Sequence, residues 1–246
     1  MTYRGLPVYA KVALSIALVL GLGVVLGLTL PSALAATASV VAETPAKIPW
    51  LTSRVTAFLA YFAITASVVY GLLLSTKLLD AIAHRPVSFA LHQDLAAVGL
   101  GLAAIHGALL SLDQTFHFSF IDLLVPFASP YRPIAVGVGQ LAFYVVALVT
   151  LSFYARRRIG QRAWRTIHYL TFLAFVGSTA HGIAAGTDSS QPWAFWTYAG
   201  SAAIVVFLLA YRIVISVAAG RDRRAAERSG RTLAPAAAPL TLRRPA

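Results

Sequence analysis

The residues of this chain best suited to chemistry are its six histidines. Two of them, His84 and His117, lie in predicted loops, where we interpret them as solvated residues at the membrane interface. The other four lie inside long apolar segments, two in each of two segments. These four are His92, His106, His168 and His181. An ionisable side chain is costly inside an apolar segment and by default marks a functional site there, so these four are the candidate site residues.

The spacing of the four histidines suggests how they are arranged. His92 and His106 are 14 residues apart, and His168 and His181 are 13 residues apart. In a helix that rises about 1.5 Å per residue, these intervals correspond to roughly 21 Å and 20 Å. Each helix would therefore carry one imidazole near each side of a membrane.

Composition places these helices in lipid. The chain has 246 residues, of which 59% are hydrophobic and 11% charged, and its mean hydropathy is +0.76. A soluble domain carries about 25% charged residues, so a soluble enzyme and a disordered chain are excluded. The absence of cysteine excludes a disulfide scaffold, a thiolate metal site, an iron–sulfur cluster and a cysteine nucleophile. The remaining class is an integral membrane protein, with the lipid bilayer as its first partner.

Six apolar segments approach the roughly 20 residues that a helix needs to cross a bilayer. They are Val12–Leu30, Val55–Thr76, Pro86–Leu112, Pro133–Ala155, Thr166–Thr187 and Ser189–Tyr211, the last extending to Val217. We therefore predict an all-α fold, an integral membrane six-helix bundle. Residues 1–50 would hold the first transmembrane helix and an outer loop, 51–218 the histidine-bearing bundle, and 219–246 a disordered basic cytoplasmic tail.

Arginine and lysine fall almost entirely in alternate loops, which predicts the orientation. The fourth loop, residues 156–165, and the C-terminal stretch are strongly basic, whereas Glu43, Asp113, Asp122 and Asp188 lie in the other loops. Both termini should therefore face the cytoplasm of a cell membrane, expected to be a bacterial inner membrane. Since the net charge of +12 follows this topology, we expect no nucleic-acid partner.

The first segment has a second interpretation. Its basic start, its apolar run and the small residues at Ser32–Ala35 also resemble a signal peptide with its cleavage site. Cleavage would leave five helices and an external N-terminus, without changing the orientation of the rest.

The third and fifth spans run in the same direction, which pairs their histidines. His92 comes level with His168 near the cytoplasmic face, and His106 with His181 near the outer face. Groups some 20 Å apart cannot converge on a tetrahedral zinc ion, and no span contains the glutamates of a di-iron centre. A haem takes one axial ligand from each face, and its flat apolar ring fits between helices. The pattern therefore predicts two haems.

Helical phase is the difficulty for this arrangement. At 3.6 residues per turn, the first pair of histidines is about 40° apart around its helix and the second about 140° apart. Tilt or local rewinding near Gly177 and Ser178 would have to absorb that difference.

Small and basic residues accompany the histidines. Small residues that would admit a flat group are Gly99, Gly101, Ala103, Ala104 and Gly107 on the third span and Gly177, Ala180 and Gly182 on the fifth. Ordinary packing of membrane helices also uses such residues. Candidates to pair with haem propionates are Arg85, Arg165, Arg54 and Arg132, although topology explains them equally well. Asp94 lies on the other side of the helix from His92 and cannot orient that ring.

The segment RRRIGQRAWRTIHYLTFLAFVGSTAHGIAAGTDS and the two histidine intervals resemble the ferric-reductase-like transmembrane family. That family includes ferric reductases, NADPH oxidases and the haem subunit of the bacterial methionine sulfoxide reductase system. The resemblance covers roughly residues 50 to 215. It implies a six-helix haem domain in which His92, His106, His168 and His181 are the axial ligands of two b-type haems.

The resemblance also implies a function and leaves alternatives open. Full-length reductases of this kind continue into flavin and nicotinamide domains, and this chain stops. We therefore expect an oxidoreductase component that receives electrons from a separate cytoplasmic donor, a flavoprotein or a quinone, and passes them to an outer-face acceptor. A variant is the haem subunit of a two-component reductase serving an external enzyme. The alternative from another class is a transporter or proton channel that uses the histidines and Asp94 as a relay.

Overall fold

The computed structural model describes Ala35 and residues 48–81, 84–113 and 118–232, with side chains up to residue 227. Within these ranges the chain is helical, as the sequence predicted. The elements are α1 (Ile48–Thr76), a 3₁₀ turn (Leu79–Ala81), α2 (Arg85–Leu110), α3 (Phe120–Leu124), α4 (Pro133–Ile159), α5 (Gln161–Ala185) and α6 (Pro192–Thr232). The first predicted span, with its signal-peptide alternative, and His117 lie outside the described residues.

The second to sixth predicted spans correspond to α1, α2, α4, α5 and α6. Four of these helices, all except α5, are long and apolar enough to cross a membrane. This agrees with a multi-pass membrane protein. Helix α5 is less apolar because arginine, histidine, threonine and serine side chains are interleaved with its hydrophobic residues.

Helix α6 is longer than the sequence suggested. It continues to Thr232, whereas we had expected disorder from residue 219. Residues 219–232 are rich in alanine and arginine, which are good helix formers. Because the apolar part of α6 is already helical, these residues need only propagate a helix and need not nucleate one. Residues 233–246 lie outside the described part.

Local sequence signals set several helix ends. Proline stands in the first turn of α2 and of α4, where its missing N–H costs no hydrogen bond. Gly160 joins α4 to α5 with a φ of 83°, a conformation that glycine adopts without steric penalty. A capping box starts α3, in which the side chain and backbone N–H of Ser119 donate to the carboxylate of Asp122. These bonds lower the pKa of Asp122 below its usual value.

Two antiparallel helix pairs, α1 with α2 and α4 with α5, form the frame of the fold. Glycine allows the close approach within each pair. A Cβ added at Gly99 of α2 would lie 2.7 Å from Ile64 Cγ1 and 3.2 Å from the Ile64 backbone nitrogen. A Cβ added at Gly177 of α5 would lie 3.1 Å from Ala142 Cβ of α4. Small residues at such positions let two backbones pack closely in lipid, where the hydrophobic effect does not drive association.

Helix α1 is the central element, and the main core lies where it meets α5 and α6. The buried residues of this core on these helices are Tyr61, Val68, Val69, Leu72, Leu73, Phe175, Ala194, Tyr198, Val205 and Leu208. The outward faces are also apolar, with Val98 of α2, Leu151 of α4 and Val206 of α6 more than half exposed. Extended apolar surface of this kind suits contact with lipid chains.

Gly99 and Gly101 offer a matched test of the α1–α2 contact. We expect Gly99→Ala to lower the free energy of unfolding by about 1–3 kcal/mol, because the new methyl group overlaps Ile64. Gly101 has open space around it, so Gly101→Ala should stabilise the helix by up to about 1 kcal/mol. Unfolding of the detergent-solubilised protein, followed by circular dichroism, measures both. Equal effects at the two positions would contradict the close contact.

Candidate functional site

The four histidines of the apolar segments form two pairs across the space between α2 and α5. The ring centroids of His92 and His168 are 6.1 Å apart, with an angle of 81° between the ring planes. The ring centroids of His106 and His181 are 6.3 Å apart, with an angle of 65°. His84 lies apart from both pairs, exposed at the start of α2.

The imidazoles of His168 and His181 on α5 both reach their partners on α2, although the 13-residue interval between them places them far apart around the helix. Helix α5 is continuous through Gly177 and Ser178, so the rewinding considered from the sequence is not needed. Helix α2 packs closely against α1, and α5 packs closely against α4, whereas α2 and α5 remain apart. Side chains that leave α5 from different flanks can therefore meet α2 within the gap.

Backbone carbonyl oxygens hold three of the four imidazoles at 2.8 Å from Nδ1. The pairs are His92 with Ser67, His106 with Ser53, and His181 with Ala135. A carbonyl oxygen only accepts hydrogen bonds, so Nδ1 must carry the proton in each ring, and Nε2 keeps its lone pair. Histidines that bind metals have this arrangement, in which the bond at one nitrogen sets the tautomer and the orientation of the other.

Two serines of α1 add to this anchoring. Ser67 Oγ donates to the backbone oxygen of His92 at 3.0 Å, and Ser53 Oγ donates to that of His106 at 3.0 Å. The two serines are 14 residues apart, the interval that also separates the two histidines of α2. In an antiparallel helix pair, equal intervals bring both serine–histidine contacts into register. Sequence reasoning missed these serines, although the matching interval in the neighbouring apolar segment was a usable signal.

His168 is held differently. It has no hydrogen-bond partner within the described part of the chain, and its ring instead stacks on Trp164. The two ring centroids are 5.1 Å apart, with 28° between the planes. Stacking therefore replaces the hydrogen bond that orients each of the other three rings.

Each histidine pair borders a cavity. The His92 cavity has a volume of about 320 Å³ and is lined by His92, His168, Gly71, Phe89 and Trp164 among others. The His106 cavity has a volume of about 570 Å³ and is lined by His106, His181, Gly139, Phe143 and Tyr198 among others. Ile64 and Val146 line both cavities, so their side chains separate one cavity from the other.

Glycines on α1 and α4 make room for the rings. A Cβ added at Gly71 would lie 3.1 Å from His92 Cε1, and one added at Gly139 would overlap the ring of His181. The sequence had pointed to glycines on the histidine-bearing helices instead. Of these, Gly107 lines the His106 cavity with open space around it, whereas Gly182 faces the hydroxyl of Tyr198.

Two of the four candidate arginines line the cavities. Arg85 lines the His92 cavity. Arg54 lines the His106 cavity and forms an ion pair with Asp188. Arg132 donates to a backbone carbonyl near the end of α5 at 2.6 Å, and Arg165 is exposed. Neither of these two lines a cavity.

The remaining acidic candidate, Asp94, is exposed on α2 and lines neither cavity. Among the described residues, no group of three or more histidine, cysteine or acidic side chains is placed to hold a metal ion. The imidazoles lie as the two pairs given by the ring distances above.

Comparison of the chain with protein-family models, curated proteins and solved structures finds no match. A function for this protein therefore has to be inferred from the two histidine pairs and their surroundings.

We expect Ser53→Ala and Ser67→Ala each to lower the free energy of unfolding by about 1 kcal/mol, the value of a typical internal hydrogen bond. The two sites are roughly 21 Å apart along α1, so the double variant should lose the sum of the two effects. Denaturant unfolding in detergent measures this. Ser75→Ala is the control, because Ser75 Oγ donates only within its own helix. A loss as large in the control would contradict a role for the interhelical bonds.

Proposed function

We propose that this chain is a multi-pass membrane protein that transfers electrons across the bilayer through two b-type haems. His92 and His168 would hold one haem, and His106 and His181 the other. The observation that carries the proposal is the separation of the paired rings, 6.1 Å and 6.3 Å between centroids. An imidazole nitrogen binds a metal at about 2 Å and the ring centre lies about 1 Å behind it, so two rings on opposite sides of one metal have centres roughly 6 Å apart.

The hydrogen bonds at Nδ1 support the same proposal. Three imidazoles donate this proton to a backbone carbonyl, which leaves Nε2 as the free ligand atom. A proton relay needs imidazoles that exchange protons at both nitrogens, and here one nitrogen is engaged by the backbone. These bonds therefore favour axial ligation over the transporter or channel alternative.

The surroundings of the pairs suit a flat apolar group. Glycines at 71 and 139 keep space beside the rings, and Phe89 and Phe143 line the two cavities. Ile64 and Val146, which line both cavities and belong to one buried apolar cluster, place hydrocarbon between them. Arg85 and Arg54, one in each cavity, are candidate partners for propionate carboxylates. Bound haem would supply one-electron redox chemistry, while these residues bind and orient it.

The direction of transfer follows from the proposed topology. The basic helix ends on either side of Gly160, with Arg156 on α4 and Arg162 on α5, would face the cytoplasm of a bacterial inner membrane, as would both termini. His168 lies close to these helix ends in the sequence, so the His92–His168 pair would face a separate donor, a flavoprotein or a quinone. The His106–His181 pair would face an acceptor outside. The resemblance to ferric-reductase-like domains supports this role as an oxidoreductase component.

The proposal is tested by purifying the protein after expression with sufficient haem. We expect the reduced-minus-oxidised spectrum of a b-type haem and two haems per chain by pyridine haemochromogen assay. A colourless preparation from haem-replete cells would overturn the proposal.

Haem content of histidine variants tests the pairing. We expect His106→Ala and His181→Ala each to bind one haem, because removal of one axial ligand should empty that site alone. His84→Ala, outside both pairs, should keep two haems and is the control. Two haems per chain in both His106→Ala and His181→Ala would show that the pairing is wrong.

Gly139→Ala should act on the His106–His181 site without removing a ligand. The added methyl group overlaps the ring of His181, so we expect haem content to fall from two towards one per chain. Gly101→Ala, which meets no neighbouring atom within 4 Å, is the matched control and should retain two. Full haem content in Gly139→Ala would mean that the position of His181 does not determine binding.

A further inference from the structure

His168 differs from the other three candidate ligands. Each of those donates its Nδ1 proton to a backbone carbonyl, whereas no hydrogen bond to His168 is present among the described residues. A metal-binding histidine without such a partner would be free to rotate about its side-chain bonds, and its orientation must come from another contact. That contact is the stacked ring of Trp164, 5.1 Å away between centroids.

Trp164 lies four residues before His168 on α5, one turn away on the same face of the helix. The ring of Phe153 of α4 meets the indole in an edge-type contact, with 6.2 Å between centroids and 65° between the planes. The guanidinium of Arg156 lies 3.6 Å from the centre of the Phe153 ring. The indole is therefore held by His168 within its own helix and by Phe153 from the neighbouring helix.

The indole nitrogen of Trp164 is a hydrogen-bond donor that lacks an acceptor. Its Nε1 is buried, yet none of the described residues accepts a hydrogen bond from it. Trp164 also lines the His92 cavity. A buried N–H without a partner costs free energy, and such donors in proteins normally have an acceptor. An acceptor carried by the occupant of the cavity would meet this requirement.

We infer that Trp164 is a binding residue of the His92 cavity: its ring positions His168, and its indole N–H donates to a carboxylate oxygen of the group bound there. This inference rests on the proposed function, because a haem would bring the required carboxylates at the edge of its porphyrin ring. Tryptophan can only donate from Nε1, so the occupant must supply an acceptor. Through this hydrogen bond Trp164 contacts the bound group directly, in addition to stacking on His168.

Trp164→Phe tests the N–H because it keeps an aromatic ring and removes the donor. Loss of a donor leaves more negative charge on the carboxylate, which favours the oxidised haem and lowers its midpoint potential. We expect a change of up to about tenfold in the ratio of affinities for the two oxidation states, which equals about 59 mV for one electron. Potentiometric titration of the purified protein with both haems measures this, and only one of the two potentials should shift.

Trp164→Leu tests the ring. Without the stacked partner, His168 loses its orientation, and we expect haem content to fall towards one per chain while the remaining haem keeps its wild-type potential. The remaining haem serves as an internal control for folding. Trp193→Phe is the external control, because Trp193 is half-buried in α6 and lines neither cavity. Both potentials should be unchanged there.

The outcomes separate this inference from the proposed function. Two haems with wild-type potentials in Trp164→Phe would overturn the hydrogen bond, and full haem content in Trp164→Leu would overturn the positioning role. Either result leaves haem binding itself intact. Absence of haem from the wild-type protein would instead overturn the proposed function.

Discussion

The structure depends on how an apolar helix bundle accommodates four imidazoles. A polar group removed from water must find a hydrogen-bond partner, or its burial costs more than the bundle gains. Helix α1 supplies such partners for His92 and His106 through the carbonyl oxygens of Ser67 and Ser53. These oxygens have a second lone pair, so they can accept from imidazole while they remain within the helix. The same contacts hold α1 and α2 in one register.

Glycines lie at the close contacts within each helix pair, and a space remains between the two pairs. Gly99 brings α2 against α1, and Gly177 brings α5 against α4, whereas α2 and α5 remain apart. Imidazoles from both sides fill part of that gap. Ile64 and Val146 cross it and divide it into two cavities, which keeps the two histidine pairs separate and surrounds each with hydrocarbon.

The two sites are not equivalent. The His106 cavity, at about 570 Å³, is larger than the His92 cavity, at about 320 Å³, and backbone carbonyls hold both of its imidazoles. In the His92 cavity a stacked indole holds one of the two rings. The two pairs of imidazoles therefore differ in how they are held, and hydrogen bonds at Nδ1 raise the basicity of the rings that donate them.

Much of this arrangement is local and was readable from the sequence. Runs of apolar residues predicted α1, α2, α4, α5 and α6, because hydropathy and helical rise are properties of neighbouring residues. The 14- and 13-residue intervals likewise suggested the level of each histidine along its helix.

Only the tertiary structure decided which atoms hold each ring. These are the carbonyls that anchor His92, His106 and His181, the glycines that clear space, and the indole beside His168. Most of these contacts join residues 25 to 53 positions apart, and helical phase alone argued against the pair on α5. Their geometry depends on the distance and register between packed helices, which no single segment specifies.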